Sequence, residues 1–273
     1  MREFLSESVL VAVIASTFFV GFGGGVVFPI LPNLGQVLGI SAFVVGLILS
    51  ANRFVRLFAN APAGALVDRY GTREPFVIGL TIEGIATLGY VVALEVGPPE
   101  PWFLLARVLW GAGSALTFAT AYTIAADISD GGSRGSKMGV VRGGITLGFP
   151  AGLVLGGVVS STFGNVAAFT VAAAFALLAA GIAYLTVPET HVTSGGRDSV
   201  KPWDIDTSIP AVTVGLVNFG LMFSYVGALF ATLVLFLRDN DLLLLDWAHR
   251  ARLDCSWPGQ CCSHQCSCCS AGD

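Results

Sequence analysis

Four polar side chains interrupt an apolar stretch at residues 41–66: Asn52, Arg53, Arg56 and Asn60. On a helix Arg53, Arg56 and Asn60 stand at i, i+3 and i+7 and share one face. At 1.5 Å per residue Arg53 lies roughly 20 Å from the charged end of its stretch, near the middle of a bilayer. Guanidinium groups at that depth can contact an anionic or polar small molecule in a wet cavity, form a buried ion pair with Glu83, or snorkel. Glu83 lies inside the next apolar stretch, 76–96, where a carboxyl group can bind and release a proton or serve in packing and pairing. Arg107 lies within a further stretch, 102–126, close enough to its end to snorkel. Between the first two stretches runs Gly64-Ala-Leu-Val-Asp68-Arg69-Tyr-Gly71-Thr-Arg73. This turn must reverse the chain at a membrane face. Its glycines leave the backbone free to bend, and an acid beside two bases can form ion pairs that break and re-form as helices move.

The elements that carry these residues follow from composition. The 273 residues are 54% hydrophobic and only 12% charged, with a mean hydropathy of +0.77, against roughly 25% charged in soluble domains. A net charge of −4 without a basic run argues against a nucleic-acid partner. No nucleotide-binding loop or catalytic triad is present, so neither an enzyme nor a cofactor is expected. Apolar runs fall at 9–31, 41–66, 76–96, 102–126, 139–160, 165–187 and 210–237, each about the 20 residues that a spanning helix needs. They are too long and too continuously apolar for barrel strands, so the fold class is all-α, a polytopic membrane helix bundle. The first run follows directly on Met1-Arg2-Glu3-Phe4 and is too long for a cleaved leader, which makes it a retained helix. Arg2, Arg69, Arg73, Arg134, Lys137, Arg142, Arg197 and Lys201 fall at one set of alternate ends, while 32–40, 97–101 and 161–164 hold no lysine or arginine. That bias predicts a multi-pass protein of the cell membrane with its N-terminus, the 64–73 turn and the 188–209 linker in the cytoplasm.

Small residues mark the packing faces. The first run holds Gly21, Gly23, Gly24 and Gly25, followed by Pro29 and Pro32, which are expected to break the helix at the outer face. The fifth holds Gly139, Gly148, Gly152 and Gly156, a smooth groove for a neighbouring helix, with Pro150 expected to kink it.

Four of these patterns carry a family resemblance. The 64–73 turn resembles the loop between the second and third helices of major facilitator superfamily transporters, G-x-x-x-D-R-x-G-R-R, with Thr72 replacing a basic residue. Gly23-x5-Pro29-Ile-Leu-Pro32 resembles the first-helix motif of the twelve-helix drug:proton antiporters of that superfamily. The acid frequent in that helix is missing, and Ser16 and Thr17 are the polar groups near its middle. Arg107-Val-Leu-Trp110-Gly111-Ala-Gly113-Ser-Ala115 is similar to R-x-x-Q-G-x-G-A-A, with Trp110 for glutamine and Ser114 for alanine. The fifth-run glycines are similar to G-x8-G-x3-G-P-x2-G, with Leu153 in place of proline.

The resemblance covers nearly all of residues 1–237. It implies a six-helix N-terminal half (1–187) made of two inverted three-helix repeats, a cytoplasmic linker (188–209) and a seventh helix (210–237) that opens a second half. It further implies secondary active transport, in the form of proton-coupled efflux of a small molecule by alternating access. Asn52, Arg53, Arg56 and Asn60 would then line the substrate cavity. Gly64, Asp68, Arg69, Gly71, Arg73 and Asp127 would form the inner gate, with Asp127 pairing with the basic residues of the turn. Arg107 with Glu83 would serve proton coupling. The partners implied are a small-molecule substrate, protons and the lipid bilayer.

The remainder, 238–273, departs from the pattern. Cys255, Cys261, Cys262, Cys266, Cys268 and Cys269 all lie there, beside His264. Clustered thiols can bind zinc, but no pair of C-x2-C units frames them, so no metal site is expected. The genetic code offers another explanation. Cysteine is TGY and tryptophan TGG, so reading one base earlier turns each into NTG. Cys262 and Cys269 then become Leu, Pro258 becomes Ala, and Cys261 and Cys266, which follow glutamines, become Met or Val. With serines as TCN, residues 255–270 convert largely to an apolar segment with the composition of a membrane helix. A truncated transporter with an aberrant Cys-rich tail is expected on this reading. The alternative is a membrane fragment that does not transport, or a half that works only by self-association or with a partner. Sequencing the gene downstream of codon 245 is expected to show the shifted frame open and encoding a membrane span; a stop codon soon after codon 245 in that frame would refute the frameshift.

Overall fold

The computed structural model describes residues 2–129, 132–190, 208–222 and 224. The 188–209 linker beyond residue 190, most of the expected seventh run past Met222 and the Cys-rich tail lie outside the described residues. Among those described, all regular structure is helical: α1 (Arg2–Val37), α2 (Ala42–Tyr70), α3 (Arg73–Glu95), α4 (Pro99–Asp127), α5 (Arg134–Phe163), α6 (Asn165–Thr186) and α7 (Ile209–Met222). Helices α1 to α6 are each long and apolar enough to cross a membrane. Lipid supplies no hydrogen-bond partners, so each spanning segment must close its backbone bonds on itself. The chain separates into two compact units, Met1–Asp204 and Ile205–Asp273; α7 belongs to the second and the functional residues below to the first.

Local signals set the ends of these helices. Ser41 caps α2, its Oγ accepting from the Val44 N–H at 3.4 Å. Pro98 and Pro99 open α4, where the missing N–H of a proline costs nothing. Gly71 (φ 86°) closes α2 and Gly164 (φ 88°) separates α5 from α6, left-handed conformations that a side chain would resist. The expected break at Pro29 and Pro32 does not occur: α1 runs through both to Val37. A proline removes one backbone bond from a helix, and α1 is held against α5 up to this point by the close contacts at Gly21, Gly25 and Val26. Helix α5 likewise continues through Pro150.

Within the first unit α1 packs most extensively along α5, α2 along α4, and α3 against both α4 and α6, with α1 also against α6. Exchanging α1 with α4, α2 with α5 and α3 with α6 maps this set of neighbours onto itself: α1 on α5 becomes α4 on α2, and α3 on α4 becomes α6 on α1. The six helices are thus two equivalent triplets in their packing, as inverted repeats require.

The α1–α5 contact is made by backbone. A Cβ on Gly148 or Gly152 would come within 3.0 Å of the Phe18 or Phe22 carbonyl oxygen, and one on Gly156 would strike Val26. From the other side, a Cβ on Gly21 or Gly25 would strike the carbonyls of Ile145 and Phe149. Contacts advance four residues at a time along both helices, so the two run parallel and interlock along their i±4 ridges. Gly139 faces open space; Gly144, outside the expected motif, takes the place at that end, against Ile14 and Thr17. Helix α6 achieves the same closeness with alanine, its buried side consisting of Ala168, Phe169, Ala172, Ala173, Ala176, Ala179, Ala180 and Ala183.

Gly152→Ala is expected to lower stability by about 1–3 kcal/mol through overpacking. Gly157→Ala, whose methyl would meet no atom within 4 Å, is expected to be neutral or stabilising by up to about 1 kcal/mol. Equilibrium unfolding in mixed detergent micelles measures both.

Candidate functional site

Helices α2 and α5 are the least covered of the six spanning helices, and the polar residues of α2 divide between two sides. Asn52 is buried where α2 crosses α4: a Cβ on Gly111 would lie 2.8 Å from the Asn52 carbonyl oxygen. Its Oδ1 is buried without a hydrogen-bond partner. Arg53 and Asn60 are exposed, and Arg56 is half-buried between them. The Arg53 guanidinium stands 5.9 Å from the centroid of the Phe28 ring of α1, and that of Arg56 lies 4.4 Å from the Phe118 ring of α4. Cation–π contact of this kind partly offsets the loss of water around a guanidinium. Arg56 Nε nevertheless remains buried with no acceptor.

Arg56 is also where charge from several helices converges. Glu83 of α3, Arg142 of α5 and Arg53 of its own helix act on it electrostatically, and the neutral Tyr122 hydroxyl of α4 lies nearby. Glu83 is 1% exposed, and neither carboxyl oxygen is met in hydrogen-bond geometry among the described residues; the Thr117 hydroxyl of α4 lies beside it but donates to the Gly113 carbonyl at 3.1 Å. The Glu83 side chain rests on the α3–α4 contact, with Cγ 3.0 Å from where a Cβ on Gly113 would be, at the point where Gly79 and Gly113 bring the two backbones together. The ion pair weighed for Glu83 with Arg53 or Arg56 is not made as a hydrogen bond.

Arg107 does not snorkel. It is 1% exposed and reaches sideways to α2, donating from Nε to the Ile48 carbonyl and from Nη2 to the Leu49 carbonyl, both at 3.4 Å. Its guanidinium is 5.9 Å from the Trp110 ring. Trp110 in turn packs toward Gly24 of α1, within 3.4 Å of where a Cβ there would be. Tyr90, whose Oη has no hydrogen-bond partner, lies beside Arg107. Ser16 and Thr17 are occupied by backbone carbonyls, Ser16 Oγ donating to Ala12 at 2.8 Å and Thr17 Oγ1 to Ile14 at 3.0 Å.

The turn at 64–73 is held by a residue outside it. The Glu189 carboxylate, just past α6, accepts from Thr72 N at 2.7 Å, Thr72 Oγ1 at 2.9 Å and Arg73 N at 3.1 Å. Two of these are free N–H groups at the start of α3, which has no side-chain cap of its own; Glu189 supplies that cap from the segment after α6, with its charge at the positive end of the helix dipole. A side chain on Gly71 would collide with the same carboxylate. Thr190 continues the network, its Oγ1 3.0 Å from Thr72 Oγ1 and 3.4 Å from Asp127 Oδ2. Arg73 Nη2 donates to the Tyr184 carbonyl at 2.9 Å and the guanidinium lies over the Tyr184 ring. Asp68 and Arg69 are exposed, and Gly64 meets no atom within 4 Å. The ends of α2, α3, α4 and α6 are therefore joined at one place, and the Thr72 that departs from the expected basic residue is the side chain at its centre, fully buried.

Sequence reasoning missed Glu189, Thr190, Phe28, Phe118, Tyr122 and the second role of Arg142. The available signal for the first two was their position, in Pro188-Glu-Thr190 directly after an apolar run. Among the described residues no cluster of side chains could hold a metal ion.

The family model for the Major Facilitator Superfamily matches residues 13–245. An uncharacterised MFS-type transporter of Methanocaldococcus jannaschii is 32% identical over 193 residues, 70% of this chain and 48% of the relative. Multidrug resistance protein 2 of Bacillus subtilis is 28% identical over 221 residues, 78% of this chain and 54% of the relative. The chain thus spans about half the length of these relatives. Among solved structures, the proton:xylose symporter XylE superposes with a TM-score of 0.61 at 17% identity, over 70% of this chain and 46% of that one.

Replacing the Glu189 carboxylate should unfasten the α3 terminus. Glu189→Ala is expected to speed amide exchange at Thr72 and Arg73 by at least about tenfold, the loss of charge-assisted hydrogen bonds, while Glu74→Ala leaves both rates within about twofold. Hydrogen exchange read by mass spectrometry over the 70–76 peptide checks it.

Proposed function

The chain belongs to the major facilitator superfamily, and from that premise we propose that it serves proton-coupled efflux of a small molecule by alternating access, in the cell membrane with its N-terminus in the cytoplasm. The observation that carries the reading is Glu83: a carboxyl group shut inside a membrane-crossing bundle, with no ion-pair partner in hydrogen-bond geometry among the described residues, beside the Thr117 hydroxyl and a half-buried guanidinium. Intramembrane ionisable groups are costly to keep, and a buried carboxyl not locked in an ion pair can take up and release a proton. Arg53, Arg56 and Asn60 then stand on the substrate path, with Asn52 behind them at the α2–α4 contact. Arg107 holds α2 to α4 and carries changes around Glu83 and Tyr90 to the α2 backbone.

The four-helix junction around Glu189 suits the hinge end of such a machine. Thr72, Arg73 and Asp127 are engaged there, whereas Asp68 and Arg69 project outward from the same turn. The proposed inner gate accordingly splits into an anchored part and a presenting part, and the second half of the transporter is what Asp68 and Arg69 would meet.

Cysteines introduced at 53 and 56, in a background without the six tail cysteines, are expected to react with a membrane-impermeant thiol reagent in intact vesicles. Complete protection of both positions would refute their place on a water-filled path.

A further inference from the structure

The reading of the α2 face as part of the substrate path leaves the kind of substrate open, and the charges gathered there narrow it. We propose that this site takes an organic anion with a flat apolar body, such as an aromatic carboxylate, in preference to a cation of the same shape.

Four guanidinium groups from three helices lie within electrostatic reach of one another: Arg53 with Arg107, and Arg56 with Arg53 and Arg142. The carboxylate acting on this group is Glu83, through Arg56. The excess of positive charge therefore survives whether Glu83 is ionised or protonated. Arg107 is committed to the Ile48 and Leu49 carbonyls. Arg53 and Arg56 meet aromatic faces instead, and although Glu83 acts on Arg56 from α3, Arg56 Nε is a buried donor with no acceptor. Like charges brought together where water is scarce repel strongly, and a buried guanidinium donor without an acceptor is unfavourable. A bound carboxylate relieves both, because its two oxygens match the fork of an arginine.

The apolar part of the ligand is specified by the same neighbourhood. Phe28 of α1 and Phe118 of α4 lie against the guanidinium pair, so an aromatic body attached to the anion would pack beside rings already gathered at the site. A cation would have to enter against an uncompensated positive field, drawn only by the buried Glu83 and by ring faces that Arg53 and Arg56 already cover.

The test uses the whole chain in nanodiscs of phosphatidylcholine, a lipid with no net charge to compete. Equilibrium binding is measured for radiolabelled 1-naphthoate and for 1-naphthylmethylammonium, a cation of similar shape. Naphthoate is expected to bind at least roughly 100-fold more tightly than the cation. Arg53→Gln and Arg56→Gln should each weaken it about tenfold or more, with Arg56→Lys falling between Arg56→Gln and the parent. Glu83→Gln should tighten it roughly fivefold by removing a competing negative charge. Arg134→Gln, at the exposed start of α5, should change nothing. Thermal melts of each variant confirm that it is folded. Naphthoate binding indifferent to Arg53 and Arg56 would overturn the proposal. Preferential binding of the cation, reduced by Phe118→Ala, would overturn the anionic class while keeping the α2 face as substrate path; binding of neither probe by the folded chain would overturn both.

Discussion

Backbone lying against backbone between α1 and α5 is the contact on which the rest of this bundle depends. In lipid an apolar side chain gains little by leaving hydrocarbon for protein, so helices are held by close packing rather than by expulsion of water. Glycine is the residue that permits the closest approach, and here it is used from both sides, with Gly144, Gly148, Gly152 and Gly156 of α5 meeting Gly21 and Gly25 of α1 in one seam. The α3–α4 contact repeats the device with Gly79 and Gly113, and the α2–α4 contact with Gly111 under Asn52. A single methyl in such a seam has nowhere to go except through the main chain opposite.

That tightness decides where charge can be kept. Glu83 sits at the Gly79–Gly113 contact, where the two backbones leave only a narrow space beside its side chain and the neighbouring Thr117 hydroxyl already donates to the Gly113 carbonyl. Arg107 finds the one substitute for water within reach, the carbonyl oxygens of a neighbouring helix. Arg53 and Arg56 stand on the less covered side of α2 and lean on aromatic rings. The bundle thus grades its ionisable groups across a few helices, from Arg107, bonded to carbonyls, through Arg53 and Arg56 on the less covered side of α2, to Glu83 shut within the α3–α4 contact. At the Glu189 end the logic is opposite: donors and acceptors are matched almost one to one, and the result is a fixed point.

The packing symmetry links the two behaviours. Helices α1 and α4 hold equivalent positions, each lying parallel to a partner from the other triplet. In the first pair that contact is glycine throughout, and the pair is locked. In the second it includes Asn52 and Arg107, polar groups whose bonds to the neighbouring backbone are long at 3.4 Å or missing altogether. Two equivalent contacts of unequal tightness give a six-helix unit with a rigid side and a side able to respond.

The six spanning helices, their approximate limits and the family were legible in the residues alone. Apolar runs of bilayer length admit little else, and motifs such as Gly64 to Arg73 concern a few neighbours along the chain. The same local reasoning placed Arg53, Arg56 and Asn60 on one face, because helical periodicity is a property of the sequence. It misjudged Pro29 and Pro32, since whether a helix ends at a proline depends on what the helix is packed against, here α5 along Gly21, Gly25 and Val26. It also could not see Glu189 beneath Thr72, Phe118 under Arg56, or Arg107 turned toward Ile48 rather than to the surface. Each of these pairs joins residues dozens of positions apart, and their meeting depends on the register of one helix against another. That register is set by which glycines face which carbonyls, a fit between surfaces that exists only once the helices are packed.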